Sequence, residues 1–166
     1  PALALAPSPS PTSLLRVPAS PSVPLGQYDE YRRPINAYSI DSVPVSSARY
    51  EACVAAGRCT PPSCRSTSAG DRVTCVDLAQ ASEYCAFEGG RLPTEEEWEH
   101  AARQAASLGM RGTDDAAEWT SIPYCYFCNR DDEVVRGGPA RNPALRGWRA
   151  PGAREADVGF RCAHTS

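Results

Sequence analysis

The chain has 166 residues, of which 42% are hydrophobic and 8% aromatic, so its length suits one modest domain with an appendage. The formal net charge of −3 argues against nucleic acid or an anionic membrane as the main partner. No stretch approaches the roughly 20 apolar residues that a transmembrane segment needs. All 17 basic residues are arginine, a usage typical of GC-rich bacterial coding that carries no functional information.

Cysteine content indicates where the protein is expected to work. Eight cysteines in so short a chain favour an oxidising compartment and up to four disulfides over a metal site. The first letters, PALALA, are consistent with the remnant of an apolar signal region that ends in small residues. Both features predict an exported protein that is extracellular, on the cell surface or periplasmic.

The composition changes sharply at Gly26. Residues 1–25 contain seven prolines and five serines with almost no charge, which predicts an extended, polyproline-like segment. The expected domain organisation is a Pro/Ser-rich arm or linker over residues 1–26 and a globular domain over residues 27–166. The arm is either a mobile spacer or, through its leucines and valines, a segment for self-association with another copy of the domain.

The globular part begins with short elements that carry clear end signals. INAYSID, residues 35–41, alternates like a strand. Ser46 is placed to cap a helix that ends at Gly57. Asp77 is placed to cap a second helix that ends at Gly89, with its cysteine-bearing face directed inward.

A third helix has the strongest signals in the chain. Thr94 and Glu97 have the spacing of a capping box, which predicts a helix start at about residue 95. The helix carries a narrow apolar stripe of Trp98, Ala101, Ala102 and Ala105. Three later segments, AEWTSIPY, DEVVRGG and DVGFRCA, have strand character. The sequence therefore predicts an α+β domain with short strands and much irregular loop.

An ordered set of motifs resembles a known family. IDSVPVSSARYEACVAAGRCTPP, VTCVDLAQASEYCAFEGGRLPTEEEWEHAAR, AEW, VVRGG and VGFRCA together are similar to the formylglycine-generating enzyme (sulfatase-modifying factor) family, over roughly residues 30–164. The resemblance implies a variant of the C-type lectin fold, with little regular secondary structure around a small twisted sheet. It also implies scaffold roles for Gly90, Arg91, Leu92, Pro93, Thr94, Glu95, Trp98, Glu118, Trp119, Arg136, Gly137, Gly138, Gly159, Phe160 and Arg161.

The resemblance also gives one disulfide. By analogy with the family, Cys85 is expected to bridge to Cys162. The next pair we expect is Cys53 with Cys59, which lie on either side of a helix-ending glycine. The other four cysteines are assigned as Cys64 with Cys75 and Cys125 with Cys128, although the residues alone leave other connectivities open.

The motif CYFC, residues 125–128, allows a second interpretation. Its spacing is also that of redox and zinc motifs, but no thioredoxin-like βαβ pattern surrounds it and no paired histidines accompany it. A structural disulfide between Cys125 and Cys128 is favoured, pairing of these residues with distant cysteines is the second interpretation, and a redox or zinc role is the third.

The family's catalytic residues are not carried over. Its active enzymes bind copper through two cysteines a few residues beyond the RGG motif, and here RGGPARNPALRGW has Asn142 and Gly147 near those positions. Neither residue can replace a soft thiolate ligand. Pro139 and Ala140 stand where the family usually has a serine and an aromatic residue. A related branch uses a three-histidine iron site, whereas this chain has two histidines in all, His100 and His164.

A calcium site is the remaining cofactor hypothesis. Asp114 and Glu118 could bind calcium through oxygen, as a matching segment does in the family. Arg111 stands where an asparagine would complete that site, which favours a solvated acidic turn instead. The connection before AEW is also short, about ten residues (SLGMRGTDDA), where family enzymes carry a long insertion that helps to build the substrate groove. No other cofactor is expected.

Three functions of different classes remain. The first is an exported, non-catalytic domain that binds a protein or glycan. The second is a structural subunit of an extracellular assembly that uses the N-terminal arm. The third is a copper-dependent oxidase with an altered site, in which Cys125 and Cys128 are the ligands.

Overall fold

The computed structural model describes residues 12–65, 71–121 and 133–166, which form nine β-strands and four α-helices. The strands are β1 (Leu14–Val17), β2 (Ser20–Leu25), β3 (Tyr31–Ile35), β4 (Tyr38–Asp41), β5 (Ala117–Trp119), β6 (Glu133–Gly137), β7 (Arg146–Arg149), β8 (Val158–Gly159) and β9 (Ala163–Thr165). The helices are α1 (Ser47–Ala55), α2 (Leu78–Phe87), α3 (Glu95–Arg103) and α4 (Ala105–Leu108). None of these helices is long and apolar enough to cross a membrane.

The three longer helices begin at the residues predicted to cap them. Ser46 accepts a hydrogen bond from a backbone amide of the first turn of α1. Asp77 with Gln80, and Thr94 with Glu97, form reciprocal capping boxes at the starts of α2 and α3. Each box satisfies two amide donors that a helix start leaves unpaired, so local sequence alone determines where these helices begin.

The strands form three small sheets. In the first, β4 pairs antiparallel with β1 on one side and β9 on the other, so the two ends of the described chain meet at one strand. The second is the β2–β3 hairpin. The third has the order β7-β6-β5-β8, in which only β5 and β8 are parallel. The RGG motif ends β6, and β7, which the sequence did not predict, continues the sheet beyond it.

The N-terminal segment belongs to the domain. Residues 14–25, which lie in the predicted arm, contain β1 and β2, whereas residues 1–11 lie outside the described residues. The prolines of β2 are tolerated because β2 pairs with a strand on one side only. Strand alternation buries three apolar side chains of the segment, with exposures of 1%, 2% and 0% for Val17, Val23 and Leu25.

Two apolar clusters form the core. One lies between α1, α2 and the four-stranded sheet and includes stacked Tyr50 and Tyr84. The other joins α3 to the N-terminal strands and includes Trp98. Gly137 lies against this tryptophan: a Cβ atom there would be 2.9 Å from the ring and 2.6 Å from a backbone carbonyl oxygen, and its φ is 83°. Only glycine suits this position of the RGG motif.

Three disulfides stabilise the described chain. They are Cys53–Cys59, Cys64–Cys75 and Cys85–Cys162, the pairs assigned to these six cysteines from the sequence and the resemblance. The last of them joins α2 to the C-terminal segment over a separation of 77 residues. The proposed Cys125–Cys128 pair lies outside the described residues.

Candidate functional site

The two positions at which the resemblance puts copper ligands have other uses here. Asn142 lies in the turn between β6 and β7, where its side-chain oxygen accepts a hydrogen bond from the amide of Ala144 at 3.0 Å. Gly147 lies inside β7, directly opposite Val135. A Cβ atom at Gly147 would be 2.8 Å from Cγ2 of Val135, which is itself 1% exposed. A side chain at position 147 would therefore have to displace the core.

Part of this turn is exposed. Pro139 and Ala140, which replace the family's serine and aromatic residue, are both at the surface. The amide of Gly138 donates to the carbonyl of Thr113 at 2.8 Å, which holds the start of the turn against the segment before β5. The start of the turn thus displays Pro139 and Ala140 beside a fixed backbone.

A buried carboxylate holds two arginines of the β6–β7 hairpin. Glu95, the first residue of α3, is 5% exposed. Its Oε2 accepts from Arg136 at 3.0 Å and from Nε of Arg146 at 2.7 Å, and its Oε1 accepts from Nη2 of Arg146 at 2.6 Å. Arg136 is buried, whereas the side chain of Arg146 is 29% exposed. Glu95 therefore fixes a guanidinium group at the protein surface.

A second carboxylate of α3 holds the β2–β3 hairpin. Glu99, which is fully buried, accepts from the amide of Gly26 at 2.9 Å and from Nε of Arg103 at 2.9 Å. Arg103 also donates to the carbonyl of Gly26 at 2.6 Å and to Asp29 at 2.8 Å. Both hairpins are therefore anchored to successive turns of one helix.

Each anchored hairpin presents exposed or half-exposed side chains, together called here the β3–β7 surface: Tyr31 and Arg33 on β3, and Arg146 and Trp148 on β7. The guanidinium carbon of Arg146 lies 4.8 Å from the centroid of the Trp148 ring, a cation–π arrangement. Tyr31 is 36% exposed and Trp148 is 39% exposed. Burial and the nearby Glu95 carboxylate raise the pKa of Tyr31, which keeps its hydroxyl protonated.

Glu118 is the less suitable of the two calcium candidates. Both its carboxylate oxygens accept hydrogen bonds from Arg161, and one also accepts from Trp98, in a fully buried setting. Asp114 is exposed and accepts from the hydroxyl of Thr113. Among the described residues, no three acidic, histidine or cysteine side chains form a group that could hold a metal ion. A calcium ion here remains a prediction that rests on Asp114.

The other scaffold positions implied by the resemblance serve packing and pairing. Gly90 and Gly159 each lie against a backbone carbonyl with which a Cβ atom would clash. Arg91 donates two hydrogen bonds of 2.7 Å to Glu97, the N3 residue of the α3 capping box. Four further positions are buried: Leu92, Pro93, Trp119 and Phe160.

The histidines lie on α3 and β9, and the CYFC motif lies outside the described residues. His100 lies on α3 and contacts the side chain of Gln104, and burial together with the charge of Arg103 lowers its pKa. His164 lies on β9. Cys125 and Cys128 lie outside the described residues, as do Asp131 and Asp132.

Sequence reasoning missed the residues of the β3–β7 surface. RGWR at residues 146–149 has no apolar alternation, so it was interpreted as loop. The signal that could have found it is the spacing of Arg146 and Trp148, since residues i and i+2 share one face of a strand. YDEYRR, residues 28–33, gave no clear strand signal before INAYSID. Its partner strand β2 is rich in proline and was predicted as part of the arm.

Three solved structures share the fold. "CarF" superposes with a TM-score of 0.73 at 17% identity, covering 94% of this chain and 99% of that one. "PvdO from Pseudomonas aeruginosa" superposes with a TM-score of 0.72 at 16% identity, covering 92% of this chain and 94% of that one. "Treponema denticola variable protein 1" superposes with a TM-score of 0.63 at 16% identity, covering 92% of this chain and 95% of that one. At these identities the likeness establishes the fold alone, and it confirms the predicted α+β fold type.

Sequence comparison supplies the family. No curated protein sequence matches the chain. The family model described as "Sulfatase-modifying factor enzyme 1-like domain" matches residues 22–122, which contain the capped helices and the GGRLPTEEEW segment. The match also includes most of β2, in agreement with the packing of the N-terminal strands. On this evidence, the chain belongs to the sulfatase-modifying factor enzyme 1-like domain family.

Proposed function

We propose that this chain is an exported, non-catalytic ligand-binding domain that uses the β3–β7 surface. One observation carries the proposal. Gly147, at a position where the resemblance puts a copper ligand, has neither a side chain nor room for one, and its neighbours Arg146 and Trp148 form a fixed, exposed pair. The same strand that would carry redox chemistry in an enzyme of the family therefore presents side chains suited to recognition.

The residues near the β6–β7 turn do not fit copper. Copper(I) prefers soft thiolate or thioether ligands, and a carboxamide oxygen such as that of Asn142 is a hard donor. That oxygen is also engaged with the amide of Ala144. We therefore derive no oxidation step for this site.

The anchoring of the surface supports a binding role. Binding sites are effective when their contact groups are already held in place, because less conformational entropy is lost on association. Glu95 fixes Arg146 with two short hydrogen bonds, and Glu99 fixes the hairpin that carries Tyr31. Two loops held on one rigid helix are a common way of displaying a binding surface.

The three disulfides support export. Such bonds persist in oxidising compartments and are rare in the cytosol, so the extracellular space, the cell surface or the periplasm is the proposed location. The alternative function, a subunit of an extracellular assembly that uses the N-terminal arm, has less support. Residues 14–25 of that arm pair and pack inside their own domain.

An activity assay tests the proposal. The purified chain, with its disulfides intact, is incubated with copper and a cysteine-containing sulfatase peptide, and aldehyde formation is followed by mass spectrometry. We expect no aldehyde above the peptide-only background. Aldehyde formation would contradict the proposal, and its loss in a Cys125→Ser/Cys128→Ser variant would assign the activity to the altered copper site.

A further inference from the structure

The disulfide between Cys64 and Cys75 differs from the other two in its accessibility. Cys64 is exposed, and its partner Cys75 is fully buried. The other four cysteines of the described disulfides are between 0% and 8% exposed: Cys53, Cys59, Cys85 and Cys162. Disulfide exchange begins when a thiolate reaches one of the two sulfur atoms. Among these three disulfides, an external thiol therefore has its best access to the one that contains Cys64.

Cys64 also lies on the wall of a cavity. This cavity, about 740 Å³, is bounded by α1 on one side and by residues 61–65 on the other. Its lining is partly apolar and contains one acidic residue, Glu51, and one basic residue, Arg65. The two charges offset each other, so the cavity does not repel a small thiol of either sign. Such a molecule can enter beside Cys64.

Cys75 is held in an unusual backbone conformation. Its φ is 62°, in the left-handed region that a residue with a Cβ atom rarely adopts. Three hydrogen bonds maintain this conformation. The amide of Cys75 donates to the carbonyl of Glu155 at 3.0 Å, and its carbonyl accepts from the amide and the hydroxyl of Ser63 at 3.0 and 3.2 Å. Disulfides that are exposed or attached to a strained backbone are the ones that exchange readily.

Opening this disulfide would free a short segment and leave the domain around it in place. The carbonyl of Thr60 accepts hydrogen bonds from Tyr50 at 2.9 Å and from Gln80 at 3.3 Å, which tie the start of the segment to α1 and α2. Within the described part of the chain, residues 63–65 form hydrogen bonds only with the carbonyl of Cys75. These three residues can therefore move away from Cys75 while Thr60 stays bound.

We infer that Cys64 is a thiol-exchange site, at which a small external thiol becomes attached covalently while the domain stays folded. The external thiol gives its proton to solvent, and its thiolate attacks Sγ of Cys64. The bond between Cys64 and Cys75 breaks, and a mixed disulfide forms on Cys64. Cys75 leaves as a thiolate and takes up a proton from solvent, so one disulfide replaces another and no further oxidant or reductant is needed.

The surroundings of Cys75 suit it as the leaving group. Its burial excludes direct attack on its sulfur, which directs the incoming thiolate to Cys64. The hydroxyl of Thr74 donates to Sγ of Cys75 at 3.9 Å, where negative charge develops as the bond breaks. Attachment at Cys64 then places the added group on the cavity wall and releases residues 63–65. This exchange does not depend on the β3–β7 surface or on the proposed binding function.

Peptide mapping of the full wild-type chain tests the inference. The disulfide-bonded protein is incubated with reduced glutathione without denaturant, its free thiols are blocked with N-ethylmaleimide, and its peptides are analysed by mass spectrometry. We expect the glutathione adduct on Cys64 and the maleimide on Cys75. Their formation should be at least about tenfold faster than opening of Cys53–Cys59 or Cys85–Cys162, because access limits exchange there.

Two further measurements check the chemistry. Thr74→Val removes the hydroxyl beside the leaving sulfur and should slow adduct formation about two- to tenfold, the effect of one hydrogen bond. Thr113→Val is the matched control, because its hydroxyl donates to Asp114 at the surface, and its rate should stay within about twofold of wild type. In the adduct, the amide of Ser63 should exchange its hydrogen faster than in the unmodified protein.

Several results would overturn the inference. These are the absence of an adduct on Cys64, an adduct on Cys75 in its place, equal opening of the other two disulfides, and an adduct that has lost its native circular dichroism. An unchanged rate in Thr74→Val would contradict the role given to that hydroxyl. Because the mapping uses wild type, it remains decisive if a variant fails to fold. Copper-dependent aldehyde formation would instead contradict the proposed function, so the two failures are distinguishable.

Discussion

Glu118 of β5 and Arg161, near the C-terminus, form an ion pair in which both side chains are fully buried. Nε of Arg161 donates to one carboxylate oxygen at 2.7 Å and Nη2 donates to the other at 2.7 Å. Trp98 adds a third hydrogen bond to the carboxylate at 2.8 Å, and Arg161 also donates to the carbonyls of Asp41 and Arg111. This group connects α3, β4, β5 and the C-terminal segment.

Replacing Arg161 should be strongly destabilising. In Arg161→Met, Glu118 would be left buried and unpaired, which costs about 3–5 kcal/mol of the free energy of unfolding. Urea denaturation measures this loss. The matched control is Arg91→Met, which breaks a bidentate pair with Glu97 in which Arg91 is 39% exposed. A half-exposed pair contributes about 0–1 kcal/mol, so equal losses in the two variants would contradict this account.

The Cys85–Cys162 disulfide should contribute most to stability among the three. It spans 77 residues, whereas Cys53–Cys59 spans six. By the chain-entropy estimate, replacing the first pair with serines costs about 4 kcal/mol and replacing the second about 2 kcal/mol. Thermal or urea unfolding of the two double variants gives the order. Peptide mapping without reduction that found Cys85 as a free thiol would refute the assignment.

Removal of the N-terminal strands should unfold the domain. Deleting residues 1–25 removes β1, β2 and three buried side chains, Val17, Val23 and Leu25. Burial of each such side chain contributes about 1.5–3 kcal/mol, so the loss approaches the whole stability of a small domain. A folded product of this deletion, detected by circular dichroism, would show that these strands are dispensable.

Acidification should destabilise the domain through His100. Burial, followed by the positive charge of Arg103, lowers the pKa of this histidine below its usual 6.5. The unfolded chain therefore binds the proton more tightly than the folded one. The stability contributed by neutral His100 is complete above pH 6.5 and is lost as the pH falls through the lowered value. Comparison of wild type with His100→Gln at pH 7.5 and 5.5 should show wild type losing more stability, and parallel losses would refute this.

Parts of the fold that depend on neighbouring residues in the chain were predictable from the sequence. Parts that depend on residues far away in the chain were not. The starts of α1, α2 and α3 depend on capping residues within three positions, so the sequence predicted them. The strands β1 and β2 were missed because proline-rich composition suggested an extended arm, whereas their burial depends on α3, more than 70 residues away. Helix α3 also ended earlier than expected, at Arg103, because α4 forms a separate turn.

The candidate site was less predictable than the fold. The absence of thiols at Asn142 and Gly147 can be read directly from the sequence. The crowding at Gly147 depends on its pairing with Val135, and the orientation of Arg146 depends on Glu95, which is 51 residues away. The sequence alone does not distinguish an exposed tryptophan from a buried one. Strand assignment and burial were needed to identify Tyr31 and Trp148 as exposed residues.

The central claim is that recognition side chains occupy the strand on which the resemblance puts a copper ligand. The most direct test is a copper(I) titration of the disulfide-bonded wild-type chain against a chromophoric copper(I) chelator, with Asn142→Cys/Gly147→Cys as comparison. We predict that wild type leaves the chelator complex intact. The double variant should be less stable than wild type, because a side chain at 147 must displace Val135. Stoichiometric removal of copper(I) from the chelator by wild type would contradict the claim.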